Sequence, residues 1–276
     1  MSPGNSVMAG LSSKTSDGVT IVLPAFNAAE SIGATIDGLR AELAPLCRTL
    51  ELVVVDDGST DNTADVVRGL QAASPDIRLV RNRRNLGKGM SVYVGVLAAR
   101  QPKVCFTDAD LPFTHGSYAK VVQLALDGCP FAAGSRRMPQ SEILVRMEVL
   151  GYAARRHFVG VVFNTIVRLL LALPYRDTQC GLKAFDRAVA IDLFRRLRSP
   201  RFLFDIELLV AAHELGIEVV EVPVCIAYND FKSSVRLAED STRMLMGLLG
   251  IAWRFRRGIY RAVNPEMDPT SLALPI

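Results

Sequence analysis

Apolar and polar positions follow two rhythms along the first half of the chain. Short runs rich in β-branched residues fall at 19–23, 50–55, 77–80, 104–107 and 131–133, separated by longer stretches with helical spacing. The runs read as strands and the stretches as helices, so βαβ units should build a mostly parallel central sheet flanked by helices. In such sheets ligands gather beyond the carboxyl ends of the strands, and the residues that close each run become the candidates for chemistry.

After residue 134 the pattern changes to a strongly apolar stretch spotted with arginine, at 141–173. Its most apolar part, 158–173, is 16 residues long and contains Asn164 and Arg168. That is short of the roughly 20 apolar residues a membrane-spanning helix needs. Helices are expected at 186–197 and 205–215, on either side of 201–204, with a strand near 217–221. No internal repeat or low-complexity tract interrupts this order.

With 276 residues, half of them apolar and 22% charged, the chain has material for one large α/β core. The expected division is a disordered tail over 1–17, a catalytic domain over 18–234, a basic amphipathic helical extension over 235–263 and a flexible tail over 264–276. A net charge of +4, without basic runs interleaved with aromatics, gives no reason to expect nucleic acid as a partner. Cys47, Cys105, Cys129, Cys180 and Cys225 form no CxxC pair and read as reduced thiols, mostly buried. The first 17 residues lack a secretory apolar region, so a cytoplasmic location is expected.

Three strand ends carry polar groups. The first run leads into Pro24-Ala25-Phe26-Asn27-Ala28-Ala29-Glu30, where proline stops the ladder and the aromatic offers a flat face. The second ends in Val55-Asp56-Asp57-Gly58-Ser59-Thr60-Asp61, whose carboxylates can accept hydrogen bonds from a nucleobase or a ribose, while its hydroxyls can equally cap the next helix. The fourth ends in Asp108-Ala109-Asp110, a spacing that can share a hard divalent cation with diphosphate oxygens. The turn Asn85-Leu86-Gly87-Lys88-Gly89 lacks P-loop spacing and reads as a helix start. His115, His157 and His213 stand in unlike contexts and read as ordinary core or surface residues.

Together these segments resemble the inverting family 2 glycosyltransferases of the GT-A fold. Gly134-Ser135-Arg136, Asp177-Thr178-Gln179-Cys180-Gly181-Leu182-Lys183 and Lys232-Ser233-Ser234 look like the branch that glycosylates polyprenyl phosphates, the Asp-Thr-Gln-Cys-Gly segment most of all like dolichyl-phosphate glucosyltransferases. The resemblance implies a GT-A nucleotide-diphosphosugar transferase fold with C-terminal amphipathic helices. It implies donor contacts from Pro24, Phe26, Glu30, Val55, Asp57, Lys88, Asp108, Ala109 and Asp110. Asp108 and Asp110 would hold Mg²⁺ or Mn²⁺. Arg136, Gln179, Lys183, Lys232 and Ser234 would meet phosphates on the acceptor side. Catalytic roles would fall to Asp108, Asp110, Arg136 and Asp177, the last as a base or as a residue that positions the acceptor. One departure stands out: related polyprenyl-phosphate mannosyltransferases carry Gln two residues after the second Asp, where this chain has Pro112, so water or a backbone carbonyl must fill that place, or metal affinity is lower.

The reaction so implied moves a hexose, from UDP-glucose first and GDP-mannose second, to a polyprenyl or dolichyl phosphate with inversion. Two alternatives stay open: a transferase of the same fold acting on a hydroxyl of a small molecule, polysaccharide or protein, and a nucleotide-sugar-binding protein without catalysis. Residues 241–265 contain five arginines and no acid among apolar and aromatic residues, a composition suited to an anionic membrane surface as well as to packing on the domain. A membrane surface is therefore an expected partner, with the enzyme peripheral on the cytoplasmic leaflet, and a homo-oligomer is left open.

Overall fold

The computed structural model describes residues 18–110, 112–114, 116–199, 201, 203–228 and 237–267. The expected N-terminal tail, the end of the C-terminal tail, His115, Lys232 and Ser234 lie outside the described residues.

Seven strands form the main sheet: β1 (Gly18–Ala25), β2 (Thr49–Asp56), β3 (Ile77–Arg81), β4 (Lys103–Phe106), β6 (Phe131–Ser135), β8 (Lys183–Asp186) and β9 (Val220–Pro223), in the order β3-β2-β1-β4-β8-β6-β9. A small second sheet joins β5 (Phe113–Thr114), β10 (Cys225–Tyr228) and β7 (Glu142–Val145). The helices are α1 (Ile32–Leu43), α2 (Thr63–Ala73), α3 (Lys88–Ala98), α4 (Ser117–Leu126), α5 (Leu150–Leu171), α6 (Arg187–Phe194), α7 (Phe204–Glu214) and α8 (Leu237–Arg256).

The main strands bury most of their residues because both faces of the sheet are covered. Alternation assigns each residue to a side: Val22, Val53, Phe106 and Phe185 join one core with residues of α3, α6, α7 and α8. Ile21, Leu52, Cys105 and Ala184 join the other with residues of α1 and α4. Phe131 and Phe185 pack with ring centroids 4.2 Å apart, and Phe106 lies 5.6 Å from Phe204, so aromatic rings fill the layer under the centre of the sheet. All five cysteines are free, three of them buried.

The five expected strands of the first half are present, each within a few residues of its expected bounds. Five strands were not anticipated or are displaced. Residues 183–186, read as the end of a phosphate-binding segment and the start of a helix, form β8; β5, β7 and β10 are too short to stand out; and the strand expected near 217–221 runs from Val220 to Pro223.

The C-terminal expectation also needs correction. Residues 264–267 are packed: Asn264 donates from Nδ2 to the Leu197 carbonyl at 2.6 Å, Tyr93 Oη donates to the Met267 carbonyl at 2.9 Å, and Met267 is buried. The anchor nearby is Glu207, a buried carboxylate that accepts from Tyr260 Oη at 2.5 Å and pairs with Arg254 at 3.2 Å, fastening the end of α8 to α7. No described helix is long and apolar enough to cross a membrane.

Lys183, expected on a phosphate, is buried inside the domain, where its Nζ donates to Asp205 Oδ1 at 2.6 Å and to the Cys180 carbonyl at 2.5 Å. Removing one member of a buried pair strands the other charge. Lys183→Ala should therefore lower unfolding free energy by about 3–5 kcal/mol in denaturant titration, and the double replacement Lys183→Met with Asp205→Leu should recover most of that loss.

Candidate active site

Strand register explains how distant motifs converge. β1 lies between β2 and β4, pairing Ala25 with Asp56 and Val22 with Phe106, all in parallel. The turn at Phe26, the acidic turn at Asp57 and the Asp108–Asp110 loop thus leave the sheet at one edge. β6 ends at that edge with Ser135, which delivers Arg136. β8 runs antiparallel to β4 and β6 and pairs Lys183 with both Phe106 and Ala133. Its direction brings the beginning of a strand, and with it the 177–182 loop, to the edge where the other strands end.

The first two loops are laced together. Asn27 N–H donates to Ser59 Oγ at 2.9 Å, Ala28 N–H to Thr63 Oγ1 at 2.8 Å and Ala29 N–H to Asp61 Oδ2 at 3.1 Å, while Asn27 Oδ1 accepts from Thr60 N–H at 2.9 Å. Phe26 stays 50% exposed above this lattice, a flat apolar face open to a planar ring. Pro24 is half-buried beside it and Glu30 is exposed at the approach to α1. Val55 is buried in the core, so it reaches the edge through its backbone pairing with Pro24.

Asp57 is buried and already engaged. Its Oδ1 accepts from Asn82 Nδ2 and Leu86 N–H, both at 2.8 Å, and its Oδ2 accepts from Gly87 N–H at 2.8 Å. Expected to hold the nucleoside, this carboxylate fixes the turn that starts α3. Gly87 takes φ +94°, which a side chain would resist, and the helix opens with Lys88.

Lys88 Nζ lies 2.5 Å from Asp108 Oδ1. Burial works against the charged ammonium, but Asp108, with Asp205 and Asp110, raises its pKa above the ordinary lysine value. Asp110 is shifted the other way for a carboxylate: burial and then the neighbouring Asp108 push its pKa up. Ala109 is held in place by its carbonyl, which accepts from Thr35 Oγ1 at 2.7 Å. Gly181 leans on the pair so closely that a Cβ there would sit 2.6 Å from Asp108 Oδ2.

Asp177 is 1% exposed and ion-paired with Arg136, accepting from Nε at 2.7 Å, from Nη2 at 2.9 Å and from the Arg136 backbone N–H at 2.9 Å. Gln179 N–H adds a fourth bond at 3.1 Å. Burial alone would raise this carboxyl, yet Arg136 and these donors hold it far below the usual carboxylate range. Glu221 of β9 fixes the loop by accepting from the N–H groups of Arg176 and Asp177. Asn164 of α5 holds it from the other side, its Oδ1 accepting from Thr178 N–H and its Nδ2 donating to the Arg176 carbonyl.

Several participants escaped the sequence reading. Glu221 and Asn164 act across long separations with no local motif. Arg156 of α5 lowers the pKa of Asp110 through its charge, and His157 is held below its ordinary pKa by burial and by Arg137 and Arg136. An arginine cluster in an apolar helix was the only available signal.

The residues present fit a divalent cation. Asp108 and Asp110 offer hard oxygen donors two residues apart, and Asp110, raised first by burial and then by the charge of Asp108, is a carboxyl whose ionised form a cation would favour. Among the described residues no three His, Cys, Asp or Glu side chains cluster around a metal position, so oxygens of a bound diphosphate or water must complete the shell. Pro112 contributes its carbonyl to Ala227 N–H at 2.8 Å, tying the loop to β10.

A mostly parallel sheet whose carboxyl edge gathers acidic loops, a basic clamp and an open aromatic face is the architecture of a GT-A glycosyltransferase. Residues 20–194 match the model of glycosyl transferase family 2, more than half of the chain, and the protein belongs to that family as a hexosyltransferase. It is similar to the dolichyl-phosphate beta-glucosyltransferase ALG5C of Trichomonas vaginalis, 31% identical over 262 residues that cover 91% of this chain and 76% of that one. The dolichyl-phosphate beta-glucosyltransferase of Saccharomyces cerevisiae is 30% identical over 228 residues, covering 76% and 66%. Among solved structures, glucosyl-3-phosphoglycerate synthase from Mycobacterium tuberculosis, in complex with Mn²⁺, UDP and phosphoglyceric acid, superposes with a TM-score of 0.60 at 21% identity over 87% of this chain and 80% of that one. That likeness establishes the shared fold.

Asp177 serves Arg136 as an anionic anchor. A carboxyl with a depressed pKa contributes stability that is complete above the ordinary Asp range near about 3.9 and is lost only as pH falls towards its folded value. Its protonation therefore lies below the working pH range. Asp177→Asn should cut kcat/KM by about 10–100-fold, the worth of charge-assisted hydrogen bonds, while the acidic limb of the pH–rate profile stays in place. A limb that vanishes in this variant would restore Asp177 as the base.

Proposed function

We propose that the protein transfers glucose from UDP-glucose to a polyprenyl or dolichyl phosphate, with inversion and with help from a divalent cation. The observation that carries the acceptor assignment is the locked state of Asp177. A hydroxyl acceptor requires a base, whereas the carboxylate best placed to be one is ion-paired with Arg136 and strongly acidic. A phosphate monoester has a second pKa near about 6 and attacks as the anion it already is. The similarity to dolichyl-phosphate beta-glucosyltransferases supports both the sugar and the lipid phosphate.

In this reading Phe26 stacks on the nucleobase, and the loops around Asp57 and Asp61 form the floor beneath the ribose. Asp108 and Asp110 would hold Mg²⁺ or Mn²⁺, which when bound supplies Lewis-acid stabilisation to the leaving diphosphate. Lys88 adds positive charge on the same side. Arg136, oriented by Asp177, faces the acceptor phosphate, whose oxygen forms the new bond to the anomeric carbon as the bond to the nucleoside diphosphate breaks on the opposite face. The negative charge leaves with the nucleoside diphosphate.

The lipid acceptor calls for a membrane surface, and two helices suit it. On α5, Phe158 (67% exposed), Val162, Ile166 and Leu169 (80%) recur at helical spacing on the side away from buried Ala153, Asn164 and Val167. On α8, Met246 (65%), Leu249 and Trp253 (53%) form a second exposed stripe opposite buried Leu248, Ile251 and Ala252. Arg257 stacks on Trp253 at 4.5 Å. No acidic residue occurs in 149–176 or in 241–265. Apolar stripes flanked only by positive charge complement an anionic bilayer, and in this reading the enzyme is peripheral on the cytoplasmic leaflet.

Two outcomes test these assignments. Purified protein with Mg²⁺ or Mn²⁺, labelled UDP- and GDP-sugars and a polyprenyl phosphate should move glucose label into the organic phase; label from GDP-mannose would replace the donor, and water-soluble product alone would move the acceptor to a hydroxyl. The combined change Leu249→Ser with Trp253→Ser should reduce co-sedimentation with phosphatidylserine vesicles at least ~10-fold, since each buried apolar side chain contributes about 1.5–3 kcal/mol. Unchanged co-sedimentation would remove α8 from the membrane contact.

A further inference from the structure

In the structure Asp108 already has a cation. Lys88 Nζ stands 2.5 Å from Asp108 Oδ1, at the first residue of α3, and the backbone just before it is pinned by Asp57 through Leu86 and Gly87. Gly181 closes one side, where even a Cβ would lie 3.3 Å from Lys88 Nζ and 2.6 Å from Asp108 Oδ2. An ammonium and a divalent ion cannot share this carboxylate at contact distance without strong mutual repulsion. The same ammonium lies over the Phe204 ring, 5.9 Å from its centroid, on a flexible four-carbon stem that can swing while the α3 start stays fixed.

From this juxtaposition we infer that Lys88 is a resident counter-cation of Asp108, which a divalent metal displaces only when a nucleoside diphosphate arrives to take the ammonium. The inference rests on the proposed metal-assisted, nucleotide-dependent reaction and adds an order of loading to it. Without nucleotide, the metal must break the Lys88–Asp108 pair and leave Lys88 close to like charge. With the diphosphate present, the displaced ammonium gains an anionic partner of higher charge on the same edge. Metal and donor then favour each other's binding through Lys88, in addition to any direct bond between them, and linkage makes the effect equal in both directions. An enzyme so built keeps its acidic pair neutralised between turnovers and charges it with metal when the leaving group is in place.

The test is Mn²⁺ binding, followed by titration calorimetry and by the electron paramagnetic resonance signal of free Mn²⁺, with and without UDP. Wild type should bind Mn²⁺ weakly alone and tightly with UDP. Lys88→Met should bind Mn²⁺ at least ~10-fold more tightly than wild type in the absence of UDP, and the tightening caused by UDP should shrink at least ~5-fold, within the usual range of coupling between sites. Lys88→Arg, which keeps the charge, should remain within about twofold of wild type without UDP, and Lys88→Gln should follow Lys88→Met and guard against a local defect of the methionine variant. Equal or weaker Mn²⁺ binding by Lys88→Met and Lys88→Gln without UDP would overturn the inference alone. Failure of wild type to bind Mn²⁺ even with UDP would overturn both the inference and the metal-assisted reading.

Discussion

Carboxylates gathered at one edge of a sheet must each be neutralised or solvated, and this constraint organises the molecule. Parallel β1, β2 and β4 deliver Asp57 and the Asp108–Asp110 pair to the same place, and reversed β8 adds Asp177 from the loop before it. Each receives a different answer. Asp57 is satisfied by N–H groups, Asp108 by the Lys88 ammonium and Asp177 by the Arg136 guanidinium, while Asp110 is left with a pKa raised by burial and by Asp108 beside it. Neutralisation by backbone or by arginine produces fixed scaffolding; neutralisation by a flexible lysine leaves a place that another cation can take.

The ion pairs also divide by depth. Lys183–Asp205 and Glu207–Arg254 lie beneath the site and fasten β8 and α8 to α7. Such pairs contribute little net stability, and here they tie β8 and the end of α8 to the helix whose Phe204 ring lies beneath the Lys88 ammonium. The buried rings of Phe106, Phe185 and Phe204 pack together in the same layer.

Much of this was legible in the sequence because its signals were local. The apolar runs of β1 to β4 and β6, the turn residues that follow them, and the Asp-x-Asp spacing all lie within windows of a few residues, and they located the edge. What escaped depended on long-range pairing. Lys183 looks like a phosphate ligand beside Gln179 and Gly181, and only the partner 22 residues later, Asp205, reveals it as a core residue. The part Asp57 plays in fixing the α3 start could not be read from its own turn, because Asn82, Leu86 and Gly87 lie 25 to 30 residues downstream. The four-residue strands β7 and β10 carry no periodicity long enough to detect, and the packing of Asn264 and Met267 depends on Leu197 and Tyr93, far upstream.

In the proposed reaction this edge holds a nucleoside diphosphate, with a divalent cation, between the Asp-x-Asp loop and Lys88. The most direct measurement is anomalous diffraction at the manganese edge from crystals grown with Mn²⁺ and UDP. A single strong peak is expected in contact with carboxylate oxygens of Asp108 and Asp110, with Phe26 stacked on the uracil and Lys88 turned to the diphosphate. A peak elsewhere, or nucleotide bound with Lys88 still paired to Asp108 and no metal present, would contradict it.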